Sequence, residues 1–241
     1  MNLSRLVATT VAMAATLMLM PTNGARAADP AAAAAGELPI SEAEKKIFLD
    51  EHFDGIGAAH VLRYHYRQSG SLDQPFDGPV VLTIKPKRSG RRAVDVSYLD
   101  GAHKVLLPAV DDAKANPVIL YFLEQDVRDM HRRLGGSENY FRRRIRLAFA
   151  EGAQLRPASV ELGGKMVEAT EVVIRPFVGD PMKGKLGPYE NKTYAFAMSD
   201  RVPGQVLRLR SSVTGDAPGP AASTGEAPLL EDVLMFENAA R

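Results

Sequence analysis

The chain has 241 residues, no cysteine and no tryptophan, and 30 basic against 29 acidic side chains, for a net charge of +1. The lack of cysteine excludes disulfides, thiolate metal sites, cysteine nucleophiles and an acylated lipoprotein cysteine. Near-neutrality argues against wholesale nucleic-acid binding, which leaves a strongly basic footprint.

Met1 to Arg5 carries one positive charge and no acid, and Leu6 to Met20 carries no charge at all. Pro21, Asn23 and Gly24 then break any helix, and Ala25-Arg26-Ala27 precedes Ala28. That is the basic, apolar and small-residue order of a secretory signal. The apolar run of 15 residues is short of the roughly 20 that a spanning helix needs, so a cleaved signal is expected and not a membrane anchor. The expected organisation is a signal at 1–27, a disordered lead-in at 28–39 and a single domain at 40–241 with a mobile loop at 215–228. The expected compartment is the periplasm.

Ser41-Glu42-Ala43-Glu44 fits a capping box and predicts a helix running to about Phe53. His60 to Tyr66 alternates Leu62, Tyr64 and Tyr66 with Val61, Arg63 and His65, the mark of a half-buried strand. Val80 to Ile84 and Ala93 to Leu99 predict two more strands, and Asp100-Gly101 predicts a hairpin into Val105-Leu106-Leu107-Pro108. Asn116-Pro117 reads as a helix start, followed by apolar residues at Ile119, Leu123, Val127, Met130 and Leu134 in a 3.6-residue period. Ser137 caps a second helix with Phe141, Ile145, Ala148 and Phe149 on its inner face. Strands resume at Ala158 to Leu162 and Val167 to Phe177, and then at Lys192 to Ser199 and Gln205 to Val213 around a Val202-Pro203-Gly204 type II turn. Leu229 to Glu237 predicts the last strand. Short turns between strands imply antiparallel pairing. The fold expected is α+β: a strongly curved antiparallel sheet, or open half-barrel, with an inserted helical hairpin and a short N-terminal helix.

No catalytic constellation stands out, and neither a cofactor nor a metal site is expected. His52, His60, His65, His103 and His131 lack metal spacing. Glu124 and Asp126 read as solvated helix acids, with Glu124 placed to pair with Arg128 four residues on. The one concentration of charge is the helical hairpin, where Arg128, Arg132, Arg142, Arg143, Arg144 and Arg146 cluster. These arginines are either the wet faces of two amphipathic helices or a patch for an anionic headgroup or an acidic partner. The aromatic residues Tyr64, Tyr66, Tyr98, Tyr121, Phe122 and Phe196 are either core or the lining of an apolar cavity.

The order of parts resembles the periplasmic lipoprotein-carrier group, the LolA/LolB-like fold. The resemblance rests on the signal, the short first helix, Val61 to Tyr66, Val80 to Ile84, the helices within Pro117 to Ala150, and the hairpin from Tyr194 to Gly204. It implies a half-barrel that holds an acyl chain or another apolar ligand beneath a helical lid. The expectation is therefore an exported protein that binds or carries a lipid-like ligand. The alternative is a non-catalytic accessory protein that meets an acidic envelope partner through the arginine-bearing helices.

Overall fold

The computed structural model describes residues 39–240, except for 90, 107 and 216–226 and the side chain of Lys183. The signal-like segment, nearly all of the lead-in and most of the expected loop at 215–228 lie outside the described residues. The elements in chain order are α1 (Glu42–Glu44, extended by a π turn over Lys45–Leu49), β1 (His60–Gly70), β2 (Phe76–Pro86), β3 (Arg92–Tyr98), α2 (Val118–Leu134), α3 (Glu138–Glu151), β4 (Gln154–Leu162), β5 (Lys165–Ile174), α4 (Lys183–Leu186), β6 (Thr193–Met198), β7 (Val206–Val213) and β8 (Leu230–Ala240).

The eight strands make one sheet in the order β3-β2-β1-β8-β7-β6-β5-β4, and every neighbouring pair is antiparallel. β3 and β4 remain at opposite edges, so the sheet is open. Bulges between Arg63 and Tyr64 and between Ala197 and Met198 interrupt the register, and bulges bend and twist a sheet. The class is α+β with a curved open sheet and the helical pair inserted between its two halves.

Local signals explain most boundaries. Both halves of the capping box form: Glu44 N donates to Ser41 Oγ at 3.1 Å, and Ser41 N donates to Glu44 Oε2 at 2.9 Å. The first helix nevertheless stops at Leu49, short of the expected Phe53. The His52 ring ties the chain down there, donating from Nε2 to Lys46 O at 2.8 Å and accepting at Nδ1 from Asn116 N at 2.9 Å. The hairpin expected at Asp100-Gly101 is also absent. Leu99 takes a φ of 60° and a 3₁₀ turn spans Gly101–His103, so Val105 and Val110 make only isolated bridges to Tyr98 and Val94. The turn at Val202-Pro203-Gly204 forms as expected, with Gln205 N donating to Val202 O at 3.0 Å and Gly204 at φ 76°.

The helices cover the sheet face that carries Leu62, Tyr64, Tyr66, Leu82, Tyr194, Phe196, Leu209 and Leu234, all of them buried. Phe122 of α2 meets Phe196 edge-on at 6.0 Å and Tyr66 at 6.4 Å, and Phe149 of α3 lies 5.9 Å from Phe196. A polar chain runs through this contact. Lys192 is 0% exposed; its Nζ donates to Asp126 Oδ1 at 2.6 Å and to Ser211 Oγ at 3.3 Å. Tyr194 OH donates to the other Asp126 oxygen. Ser211 donates onward to Asp232 Oδ2 at 3.1 Å, and Asp232 Oδ1 accepts from Tyr66 OH at 2.7 Å and Gln68 Nε2 at 2.8 Å. Asp126 is thus buried, not solvated as its helical neighbours suggest. Its place at i+3 from Leu123 and i+4 from Phe122 puts it on the inner stripe of α2.

Candidate functional site

The arginine cluster divides into two kinds. Arg142 is fully engaged: its guanidinium donates to Glu124 at 2.8 Å through both Nε and Nη2, and to Glu138 at 2.6 Å. Arg144 pairs with Asp180 at 2.6 Å and donates to Pro176 O at 3.1 Å. Arg132 pairs with Asp129 at 2.8 Å. Glu124 therefore reaches across to α3, not along its own helix to Arg128. By contrast Arg128, Arg143 and Arg146 are exposed and have no polar partner among the described residues. Three paired arginines are structural ties, and three unpaired ones are free to meet an anion.

Two of the unpaired arginines border a groove. The groove opens between α1, α2 and α3 and has a volume of about 700 Å³. Its floor is Phe48, Leu120, Leu123, Val127, Ile145 and Phe149, and its rim carries Arg143, Arg146 and Asn139 together with Arg142 and Glu124, which pair with each other, and Glu44, which is held in the capping box. Leu120, in the first turn of α2, is 53% exposed, one residue off the stripe that packs on the sheet. The size falls within the range of small-molecule sites, roughly 300–1,000 Å³. An apolar trough with cations at its edge suits an amphiphile with an anionic end.

The aromatic set lies elsewhere. Tyr64, Tyr66, Tyr98, Phe122 and Phe196 are buried and pack on one another, as in the 6.1 Å contact of Tyr66 with Tyr98. Asn116 Nδ2 donates to Tyr64 OH at 3.0 Å. Burial pushes the hydroxyl pKa of Tyr64, Tyr66 and Tyr98 upward, so all three stay protonated. Tyr121 is half-buried and donates to Pro108 O at 2.9 Å. The gap bounded by Tyr66, Phe122, Asp126 and Asp232 is too tight for a water molecule. This aromatic layer holds no room of ligand size; the interhelical groove lies outside it, with Phe122 and Phe196 forming the layer behind Phe149 on the groove floor.

Comparison with known proteins adds an outline. No protein-family model matches the chain, and no curated protein matches it significantly. Among solved structures it is similar to MucB in complex with MucA(peri), at 12% identity and a TM-score of 0.35, over 75% of this chain and 49% of that one. It is similar to the Mycobacterium tuberculosis lipoprotein LppX at 8% identity and a TM-score of 0.28, over 78% of this chain and 90% of that one. A LolA superfamily protein from Nitrosomonas europaea follows at 11% identity and a TM-score of 0.19, over 83% and 90%. The chain spans about half the length of the MucB chains it matches, including that of the Pseudomonas aeruginosa MucA/MucB complex. The LolA-like resemblance is faint and concerns the fold; it says nothing of a ligand or partner.

Sequence reasoning placed Leu123, Val127, Ile145 and Phe149 correctly as inner helix residues but did not see that they border a groove. Leu120 was the available signal: an apolar residue on the outer side of an amphipathic helix, aligned with Glu124 one turn on and Val127 two turns on. Among the described residues no group of three or more His, Asp or Glu side chains is placed to hold a metal ion, and no helix is long and apolar enough to cross a membrane.

Proposed function

We propose that this chain is an exported, non-catalytic envelope protein that binds an anionic amphiphile, with its hydrocarbon tail in the interhelical groove and its head on Arg143 and Arg146. The observation that carries this reading is the pairing of an apolar trough of about 700 Å³ with two arginines that have no polar partner among the described residues. The signal-like N-terminus supports the periplasm as its compartment. Of the expected aromatic residues only Phe122 and Phe196 enter, as the wall behind the floor, and Arg142 is the strut that joins α2 to α3.

The test is a titration of the purified chain with a series of saturated fatty acids. Each buried methylene contributes about 0.8 kcal/mol, so shortening the tail by two carbons weakens binding roughly 15-fold until the tail no longer fills the trough. Leu120→Arg, at an exposed position, blocks the trough with the fold intact. Affinity independent of chain length, or unchanged by Leu120→Arg, overturns the proposal. The competing reading, an acidic protein partner on the same helices, draws on Arg128, which is unpaired and lies off the groove lining. It predicts a silent fatty-acid titration and a co-purifying protein that is lost on Arg128→Glu with Arg143→Glu.

A further inference from the structure

The sheet face opposite the core carries a second concavity. On β6 and β7 the residues Thr193, Ala195, Arg208 and Arg210 alternate with the buried Tyr194, Phe196 and Leu209, and so point away from the core. They line a trough of about 950 Å³ together with Leu147 and Ala148 of α3 and with Pro176 and Val178 beyond β5. The trough shares no lining residue with the interhelical groove.

Small side chains let arginines converge here. In the strand ladder Ala197 lies between Glu171 of β5 and Arg208 of β7, and a methyl group at 197 leaves Arg208 room to reach across β6. Glu171 is 5% exposed and holds two guanidiniums. Arg156 Nε and Nη2 donate to its Oε2 at 2.9 and 2.7 Å, and Arg208 Nη2 donates to its Oε1 at 3.1 Å. Arg210 lies two residues along β7 from Arg208, about 7 Å away. It donates Nε to Glu231 Oε1 at 2.6 Å.

These pairings orient the three arginines without exhausting them. A guanidinium has five N–H donors. Nη1 of Arg156, Nη1 of Arg208 and both Nη groups of Arg210 have no hydrogen-bond partner among the described residues. The three side chains keep 57%, 31% and 30% of their surface exposed, so their ends are open to the trough. The lining holds five arginines against two acids, Glu151 and Glu171, while Asp180 and Glu231 outside it tie down Arg144 and Arg210. Even with both counted, cations outnumber acids. Several spare N–H groups held on one side suit a tetrahedral dianion, which accepts from more than one guanidinium at a time.

We infer that this trough binds a phosphate monoester, whose phosphoryl oxygens accept from Arg156, Arg208 and Arg210 and whose organic part lies against Leu147 and Val178. Isothermal titration of the purified chain with phenyl phosphate, a dianion at pH 7.5, tests it at fixed ionic strength, with benzoate as the control monoanion. Saturable binding of phenyl phosphate, roughly tenfold or more tighter than that of benzoate, is the expected result. Arg156→Gln and Arg210→Gln each weaken it roughly tenfold, whereas Glu151→Gln removes a nearby negative charge and tightens it about twofold. A folding defect only weakens, so opposite signs identify the site. Arg143→Gln combined with Arg146→Gln, in the interhelical groove, leaves the affinity unchanged. On that double variant, vesicles carrying phosphatidic acid supply the second arm: competition with phenyl phosphate makes the natural ester a lipid head, and no competition makes it a free phosphate ester. Absence of saturable phenyl phosphate binding, wild-type affinity in both Arg156→Gln and Arg210→Gln, weakening by Glu151→Gln, or loss in the groove variant overturns the inference.

Discussion

Lys192→Met is the sharpest test of the interior. Methionine keeps most of the side-chain length and removes the charge. In the native chain the Lys192 ammonium touches Asp126 at 2.6 Å and Ser211 at 3.3 Å and stands 5.4 Å from the centre of the Tyr194 ring, with no exposure to solvent. Removing one member of a buried ion pair strands the other and costs about 3–5 kcal/mol. In a domain of this size each kcal/mol lowers the unfolding midpoint by about 2–4 °C, so the midpoint should drop by roughly 6–20 °C. The loss depends on pH with a definite sign. Burial raises the pKa of Asp126 above its ordinary 3.8, with Lys192 as the chief opposing influence. The folded state then holds this proton more tightly than the unfolded state, so stability falls as pH rises from 3.8 through the raised value. Taking Lys192→Met from pH 7.5 to pH 5 should therefore recover part of the lost stability. Adding Asp126→Asn to Lys192→Met should recover some at pH 7.5 too. Urea unfolding followed by circular dichroism measures all three. A single variant within about 1 kcal/mol of the wild type at pH 7.5 refutes the reasoning, as does a double variant no better than the single.

Three further outcomes follow from buried contacts. Asn116→Ala should cost about 3 kcal/mol in chemical denaturation, because it strands Tyr64 OH, Gly204 O and the Val118 amide at once. Gly204→Ala should cost about 2 kcal/mol or more on the same assay, because the backbone is at φ 76° and a Cβ there would come within 2.6 Å of Leu62 Cδ1. Burial lowers the pKa of His52 below 6.5, so the unfolded state takes up its proton first and stability should decline as pH falls through 6.5. His52→Gln should flatten that slope in a series of melts from pH 7.5 to pH 5.

Strand alternation and helix period carried the architecture because each element here has one dry face. Leu62, Tyr64 and Tyr66 are buried while Arg63 and Arg67 are exposed, as period-two reading requires. The caps at Ser41, Asn116 and Ser137 were legible for the same local reason. What failed was long-range. Nothing within reach of Asp126 in the sequence announces Lys192, its buried partner 66 residues away. Likewise Arg142 looks like its neighbours until α3 folds back and delivers it to Glu124, and only then do Arg143 and Arg146 stand apart as unpaired. The interhelical groove is a property of how two amphipathic helices diverge, which no residue spacing encodes.

The position of β8 has a consequence for how the molecule comes together. It lies between β1 and β7, pairing Tyr64 with Phe236 and Leu209 with Leu234, so the final strand joins a block made early to a block made late. Until it slots in, both flanking strands present open edges, and such distant pairings close slowly. Closure of the sheet therefore waits on β8, and a variant that weakens its pairing with β1 leaves two half-sheets, each with a bare edge open to another chain.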